Sequence, residues 1–375
     1  MPIRTLHIDI EGGWGGSSRS LFELTSKFHP NQIYPVIAHR QKGPISKRYK
    51  KIGIQSHHMP EIFSYAPKLR VKNFKNFIAS IPKMLELPKI INKIINMVKL
   101  YKIQIIHLNY EGLFIMAKLL KEKLNVPIIC HSRTQIPDDI FGRYLVKTLS
   151  KNVDHIFFIS PQEKKRFCRI EMGSKVSKSI MWNISAKKKG GRLKRTSEVV
   201  YFGDISPDKG TDRLIDIAKE LESEKEITIA VYGTERSKKG FLEHLIAKSK
   251  SQGIQNKIIF RKHNPEPEKI MRQSLALVRP SRYNDPWGRD VIEATCNGLP
   301  VLATGNFSGV IKSKTNGFLF NAFNAKKIAQ KIIELHNNQK LWDKLSKAGL
   351  KIGKKFSGQS QVKHFYETSK GLIKK

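Results

Sequence analysis

Two carboxylates, Asp285 and Glu293, stand eight positions apart where the pattern turns from loop to helix, with Arg279, Arg282 and Arg289 around them. Asp285 falls in the loop, and Glu293 about a turn and a half inside the helix, facing the same mouth. A helix N-terminus attracts anions through its free N–H groups and its dipole. Arg289 lies in that first turn, where the dipole disfavours a cation, and an anionic ligand would remove the conflict. Taken alone, two such acids are more often caps than chemistry.

The elements around this pair are readable. Residues 275–278 form a short apolar run that ends at Pro280, a buried strand. A Ser-, Asn- and Asp-rich loop follows. Pro286 and Gly288 open a helix, Gly298 and Pro300 close it, and a second buried strand starts at Val301. This is a strand–loop–helix–strand unit of the parallel-sheet kind. Similar turns recur. A strand over 5–10 runs into Glu11-Gly-Gly-Trp-Gly-Gly-Ser-Ser18 and then a helical pattern to Phe28. Such a turn lets a phosphate or sugar approach bare backbone, though no acid follows at dinucleotide-site spacing. Another strand leads from Glu198 through Gly203 and Asp204 to Lys209-Gly210, with a helix from about Asp212; there Lys209 can neutralise a diphosphate. His131 closes the apolar strand that begins at Val126. Ligands bind at the carboxyl ends of parallel strands, but a lone His is more often structural.

The chain has 375 residues, which predicts two domains of average size. Its three cysteines, Cys130, Cys168 and Cys296, are far apart and form neither a disulfide framework nor a metal spacing, which suggests a reducing cytoplasm. Residues 1–11 do not read as a signal peptide, and no run of apolar residues is long enough to span a membrane. The balance of 69 Lys and Arg against 31 Asp and Glu gives a net charge of +38. Such a chain is drawn to polyanions, unless the lysines are spread over solvated faces. The segment 68–102 concentrates the effect, with Glu86 as its only acid against nine Lys and Arg interleaved with apolar residues. Residues 68–87 could lie on an anionic membrane or meet an acceptor, whereas 90–101 reads as an amphipathic helix packed on a sheet. Residues 185–197, basic and glycine-bearing, read as a linker between two strand-and-helix units.

The stretch from Pro280 to Val301 resembles the paired-acid motif of retaining GT-B glycosyltransferases of family 4, which use nucleotide-sugar donors. Pro280-Ser281, Gly288, Glu293-Ala294, Gly298, Pro300 and Val301 stand in register, and Asp285 occupies the place where most members have Glu. The resemblance implies an α/β fold of GT-B architecture, with two Rossmann-like doubly wound domains facing a central cleft. These would be an acceptor-side domain over 1–184, a linker over 185–197, a nucleotide-sugar domain over 198–356 and a helix over 357–375 that crosses back to the first domain. It implies a catalytic set of Asp285, His131 and Lys209. Asp285 would lie beneath the anomeric carbon, His131 would face the sugar, and Lys209 would hold the leaving diphosphate. Gly15 and Gly16 would touch the diphosphate and the acceptor, Asn264 would meet the base through backbone, and Glu293 would bind the ribose. Arg282, Trp287, Gly288 and Arg289 complete the substrate-binding set. Asp204 stands where the family carries Arg, so Arg282 or Arg289 would have to replace that cation.

The expected activity is therefore retaining, metal-independent sugar transfer from a nucleoside-diphosphate sugar, UDP- or GDP-linked, with no cofactor. The expected acceptor is a saccharide or a lipid-linked saccharide of cell-surface polysaccharide or lipopolysaccharide synthesis, reached from the cytoplasm or the inner face of an anionic membrane. Nucleic acid is not an expected partner. Asp204 and Asp285 motivate a rival reading: a degenerate GT-B protein that binds nucleic acid or anionic lipid through its basic surface. A sugar phosphorylase or epimerase of the same fold is a third.

Overall fold

The computed structural model describes residues 1–13, 15–64, 86–171, 173–185, 195–235, 239–264, 266–282, 287–307 and 309–374. Asp285, nearly all of the basic segment 68–87 and most of the run 185–197 lie outside the described residues.

Apolar runs rich in Ile, Val and Phe form the inner strands, covered on both faces as parallel sheets require, while the edge strands Gln55–His58 and Ser177–Ile180 of the first sheet are polar. The first sheet comprises β1 (Ile3–Asp9), β2 (Ile33–His39), β3 (Gln55–His58), β4 (Ile105–Leu108), β5 (Ile128–Ser132), β6 (His155–Phe158) and β7 (Ser177–Ile180). Their order is β3-β2-β1-β4-β5-β6-β7, with every neighbour pair parallel. The second sheet comprises β8 (Glu198–Phe202), β9 (Thr228–Tyr232), β10 (Ile258–Arg261), β11 (Ala276–Arg279), β12 (Val301–Thr304) and β13 (Gly317–Phe320). Its order, β10-β9-β8-β11-β12-β13, is also wholly parallel. Both sheets are Rossmann-like and doubly wound. Their strand order reverses between β1 and β4 and between β8 and β11, the places where such sheets open a crevice for ligands.

The contacts divide the chain into two units, Met1–Ile184 with Gly358–Lys375, and Ser185–Ser357. In the first unit, helix Leu87–Leu100 buries Leu87, Ile90, Ile91, Ile94 and Val98 and leaves Lys89, Lys93 and Lys99 exposed. Ile90, Ile91, Ile94 and Val98 join the sheet core with Leu6, Ile106 and Leu120, so this part of the basic segment is a sheet-packed amphipathic helix. The C-terminal helix Gln359–Ile373 closes the other face, where Phe365 packs with Leu24, Phe28, Ile129 and Phe157. Helix Pro44–Lys51 was not expected from the sequence: only Ile45 and Tyr49 are buried in a run otherwise of proline, serine, lysine and arginine. In the second unit, helix Arg289–Cys296 is buried from Asp290 to Cys296.

Five imidazoles are buried in the first sheet, His7, His39, His107, His131 and His155. Burial pushes the pKa of His7 down to about 3 and that of His155 to about 4, and holds His107 and His131 well below the ordinary range. An unfolded chain protonates these side chains below about pH 6.5, while the folded chain does not, so the unfolded state binds more protons and folding weakens as the pH falls. We expect denaturant titrations of this protein to lose about 1.4 kcal/mol per pH unit for each such His below about pH 6. His155→Gln should remove one proton's worth of that slope. A stability that stays flat between neutral pH and about pH 5 would contradict the buried neutral imidazoles.

Candidate active site

At the carboxyl edge of the first sheet, polar side chains take over where the apolar strands end. Asp9, the last residue of β1, accepts a hydrogen bond from Ser18 Oγ at 2.5 Å and another from Asn109 Nδ2 at 3.0 Å, tying β1, the helix Gly16–Thr25 and the end of β4 together. Asn109 Oδ1 in turn accepts from Arg133 Nε at 3.1 Å and Nη2 at 2.5 Å, and Arg133 Nη1 donates to Asn183 Oδ1 at 3.0 Å. Glu111 is fully buried; its carboxylate accepts from the backbone N–H of Arg133 at 2.7 Å and from the Thr134 hydroxyl. Burial raises its pKa despite those bonds.

Gly15 caps the helix Gly16–Thr25. A Cβ on Gly15 would fall 1.5 Å from Glu11 Oε2, whereas one on Gly16 would meet nothing within 4 Å. The space over Gly15 thus holds a carboxylate of the chain itself, and Gly16 opens freely. His131, in β5, lines a small pocket with Arg133, Asn183, Ser20 and Gln361. Its Nδ1 lies 2.6 Å from His107 Nε2.

At the corresponding edge of the second sheet, β8 leads through Gly203 and Asp204 into a single 3-10 turn, Pro207–Lys209. Gly210 follows at φ +70°, the left-handed region, and a Cβ there would lie 2.1 Å from the Pro280 carbonyl oxygen. Glycine is therefore required on both counts, and the loops after β8 and β11 touch at this point. Arg282 stitches them further. Its Nη1 and Nη2 donate to Asp212 Oδ1 and Oδ2 at 2.8 and 2.7 Å, its Nη1 donates to the Pro207 carbonyl, and its backbone N–H donates to the Asp208 carbonyl at 3.0 Å. Burial alone would raise the Asp212 pKa, but the hydrogen bonds and charge of Arg282 outweigh it and hold the carboxyl below its usual value. Lys209, half-buried, is carried on this pinned turn. The carbonyl of Asp204 accepts from Tyr201 Oη at 2.8 Å.

Beyond β11, Arg279 Nη1 donates to both oxygens of Asp290 at 2.8 Å, a buried pair that fastens strand to helix. A Cβ on Gly288 would stand 2.6 Å from Asp290 Oδ1 and 2.9 Å from Arg279 Nη1, so the pair closes over a bare backbone. Trp287 is buried against Phe307, with ring centroids 5.9 Å apart. Arg289 Nε lies 2.8 Å from Glu293 Oε1, and both side chains are largely buried. The contact is an ion pair by distance, while its angle falls outside hydrogen-bond geometry. Arg289 in the first helical turn is thus answered by a carboxylate one turn on. Asn264, beyond the end of β10, accepts from the Glu266 backbone N–H at 2.7 Å in a local turn. The structure brings Lys209, Arg282 and the loop after β11 into direct contact with one another's segments. Asn264 belongs to the same edge, further along the sheet. Sequence reasoning missed Asp9, Asn109, Glu111, His7 and His107. Asp9, Asn109 and Glu111 are polar residues at or just past the ends of parallel strands, which is the signal that could have found them.

Comparison with known proteins follows the same division. The family model of group 1 glycosyl transferases matches residues 184–352, and the model of glycosyltransferase family 4 matches residues 14–177. An uncharacterised glycosyltransferase of Methanocaldococcus jannaschii is 28% identical over 282 residues, covering 71% of this chain and 75% of that one. A poly(ribitol-phosphate) alpha-N-acetylglucosaminyltransferase of Staphylococcus aureus is 27% identical over 173 residues, 44% of this chain and 34% of that one. Among solved structures, Anabaena HepE in complex with UDP superposes with a TM-score of 0.79 at 16% identity, covering 98% of this chain and all (100%) of the other. A sucrose-phosphate synthase of Thermosynechococcus elongatus superposes at 0.75 and 15% identity, covering 99% of each chain. At such identities these structures speak to the fold, which is GT-B. The two family models, both of glycosyltransferases, account between them for most of the residues, and both sheets are wound as that fold requires: the chain is a glycosyltransferase whose second unit matches the group 1 model.

Proposed function

We propose that this glycosyltransferase moves a sugar from a nucleoside-diphosphate sugar to a saccharide or lipid-linked acceptor with retention at the anomeric carbon. The observation that carries the reading is the second sheet's carboxyl edge. There the Arg282–Asp212 fork pins Lys209 on the turn after β8, against the loop that leads into the Arg289–Glu293 helix. In the proposed reaction the bond between the anomeric carbon and the diphosphate oxygen breaks, and a bond to the acceptor oxygen forms on the same face. The acceptor proton passes to the leaving phosphate. Negative charge grows on that phosphate, and a fixed cation with backbone N–H groups stabilises it most effectively where water is excluded.

The two arginines nearest the helix start are already engaged, Arg282 with Asp212 and Arg289 with Glu293. Lys209, carried on the turn that Arg282 pins, is assigned the leaving diphosphate. Glu293 is assigned the ribose hydroxyls, with Arg289 orienting its carboxylate. Asp285 is assigned the sugar, and Asn264 the base. Solved relatives in complex with UDP and with UDP-glucose support a uridine donor. The net charge of +38 and the name of the staphylococcal relative, which acts on a ribitol-phosphate polymer, support an anionic or membrane-borne acceptor of cell-surface polysaccharide synthesis.

A thermal-shift screen of UDP, GDP and ADP with their sugars, with and without chelator, is expected to show stabilisation by one diphosphate that the chelator leaves intact. Glu293→Gln should abolish that shift, and Lys209→Ala should lower kcat/KM by about a hundredfold. If no nucleotide stabilises the protein, the donor assignment fails. Once a donor is identified, proton NMR of the fresh product is expected to show the donor's anomeric configuration, and an inverted product would rule out the retaining route. Sedimentation with anionic vesicles at low salt should carry the protein down and release it as salt rises. A protein that stays in solution would remove the membrane-borne acceptor.

A further inference from the structure

Behind His131 the first sheet carries a file of polar side chains that the proposed chemistry does not use. His7 in β1 and His107 in β4 are paired directly across the strands, and His131 in β5 lies two residues beyond Ile129, the partner of His107, and so on the same face. The three rings meet edge to face, with centroids 5.0 and 4.9 Å apart. Thr5 Oγ1 lies 2.8 Å from His7 Nε2, His7 Nδ1 lies 2.8 Å from His107 Nδ1, and His107 Nε2 lies 2.6 Å from His131 Nδ1. Thr5, His7 and His107 are fully buried, and His131 is almost so. Phe365 stacks on His7 and Phe28 packs against it at a tilt, which closes this end of the file with apolar surface.

Burial keeps all three imidazoles neutral. A neutral imidazole has one N–H and one bare nitrogen. Rings joined nitrogen to nitrogen then have only two consistent orders, with every N–H pointing toward His131 or every N–H pointing toward Thr5. Among the described residues, Thr5 Oγ1 has His7 as its sole hydrogen-bond partner. If His7 donated to Thr5, the threonine proton would be buried with no acceptor, an arrangement that folded proteins avoid. Thr5 therefore donates to His7 Nε2, His7 Nδ1 donates to His107, and His107 Nε2 donates to His131 Nδ1. The one proton of His131 is left on Nε2, the nitrogen not engaged by His107, and His131 lines the pocket with Arg133 and Asn183.

We propose that Thr5, His7 and His107 are positioning residues that lock His131 as the Nε2–H tautomer, so that it donates a hydrogen bond to an oxygen of the transferred sugar or its phosphate and does not act as a base. This rests on the glycosyltransferase reading above. The file ends at a threonine hydroxyl, so it fixes a tautomer and conducts no proton. A His131 that cannot accept a proton leaves the phosphate as the acceptor's base, as the retaining route demands.

The test is nitrogen-15 NMR of the full-length protein with labelled histidine near neutral pH. His131 would be assigned by the signals lost in His131→Gln. The expected spectrum shows a protonated Nε2 and a bare, hydrogen-bonded Nδ1 for His131. Thr5→Val, which keeps shape and removes the hydroxyl, should mix the two tautomers at His131 and lower kcat about tenfold, with the donor KM changed by less than about twofold. Thr5→Ser should restore both. A protonated Nδ1 on His131 in the unaltered protein would overturn the proposal without need of any variant, as would a tautomer indifferent to Thr5→Val. The spectrum does not depend on turnover. If no nucleotide sugar is turned over while His131 shows the expected tautomer, the tautomer lock stands and the glycosyltransferase reading falls.

Discussion

A strand in an all-parallel sheet must be followed by a crossover, and helices on both faces then shut the sheet away from water. Polar side chains can emerge only at the strand ends, and all the carboxyl ends of one sheet lie along a single edge. The whole candidate site obeys this constraint. Asp9, Asn109, His131 and Arg133 mark the ends of β1, β4 and β5, while Lys209, Asn264, Arg282 and the helix opened by Gly288 follow β8, β10 and β11. The strand order reverses between β1 and β4 and between β8 and β11, the places where such sheets receive ligands, and at the second of them Arg282 stitches the two loops together.

The second constraint is the cost of burying charge. The chain carries +38 overall, yet the arginines nearest the proposed donor site are spent within it: Arg279 on Asp290, Arg282 on Asp212 and Arg289 on Glu293. A buried ion pair such as Arg279–Asp290 or Arg289–Glu293 adds little net stability, but removing one partner strands the other at a cost of about 3–5 kcal/mol, whereas the more exposed Arg282–Asp212 pair is cheaper to break. These pairs are therefore better understood as fasteners that fix loop and helix than as spare phosphate ligands. The dipole conflict at Arg289 is resolved inside the protein.

Much of the fold was legible in the residues. The apolar run over 275–278 is β11 shifted by one residue, the strand starting at Val301 is β12, and the helical pattern over 359–373 is the helix Gln359–Ile373. Two-sided burial makes such strands uniformly apolar, and glycine and proline punctuate them sharply. The stripe over 90–101 was readable as a sheet-packed face because its isoleucines recur at helical spacing. Helix Pro44–Lys51 was not readable, because two buried residues in eight give no period to detect.

The candidate site divides in the same way. Residue types and short spacings announced Lys209-Gly210, the glycine turn at Gly15 and Gly16, and the acid Glu293 in its helix, because those signals are local. The partners of these residues were not announced. Glu11 fills the space over Gly15, Asp212 takes the guanidinium of Arg282, and His7 meets His107 a hundred residues away in the chain. By itself the sequence determined the α/β elements, their order and the helix and turn that carry the candidate chemistry, since periodicity and backbone stereochemistry act over a few residues. The register of one strand against another, and with it which buried imidazole or carboxylate meets which donor, was decided only by the tertiary structure, because those contacts join residues that share nothing along the chain.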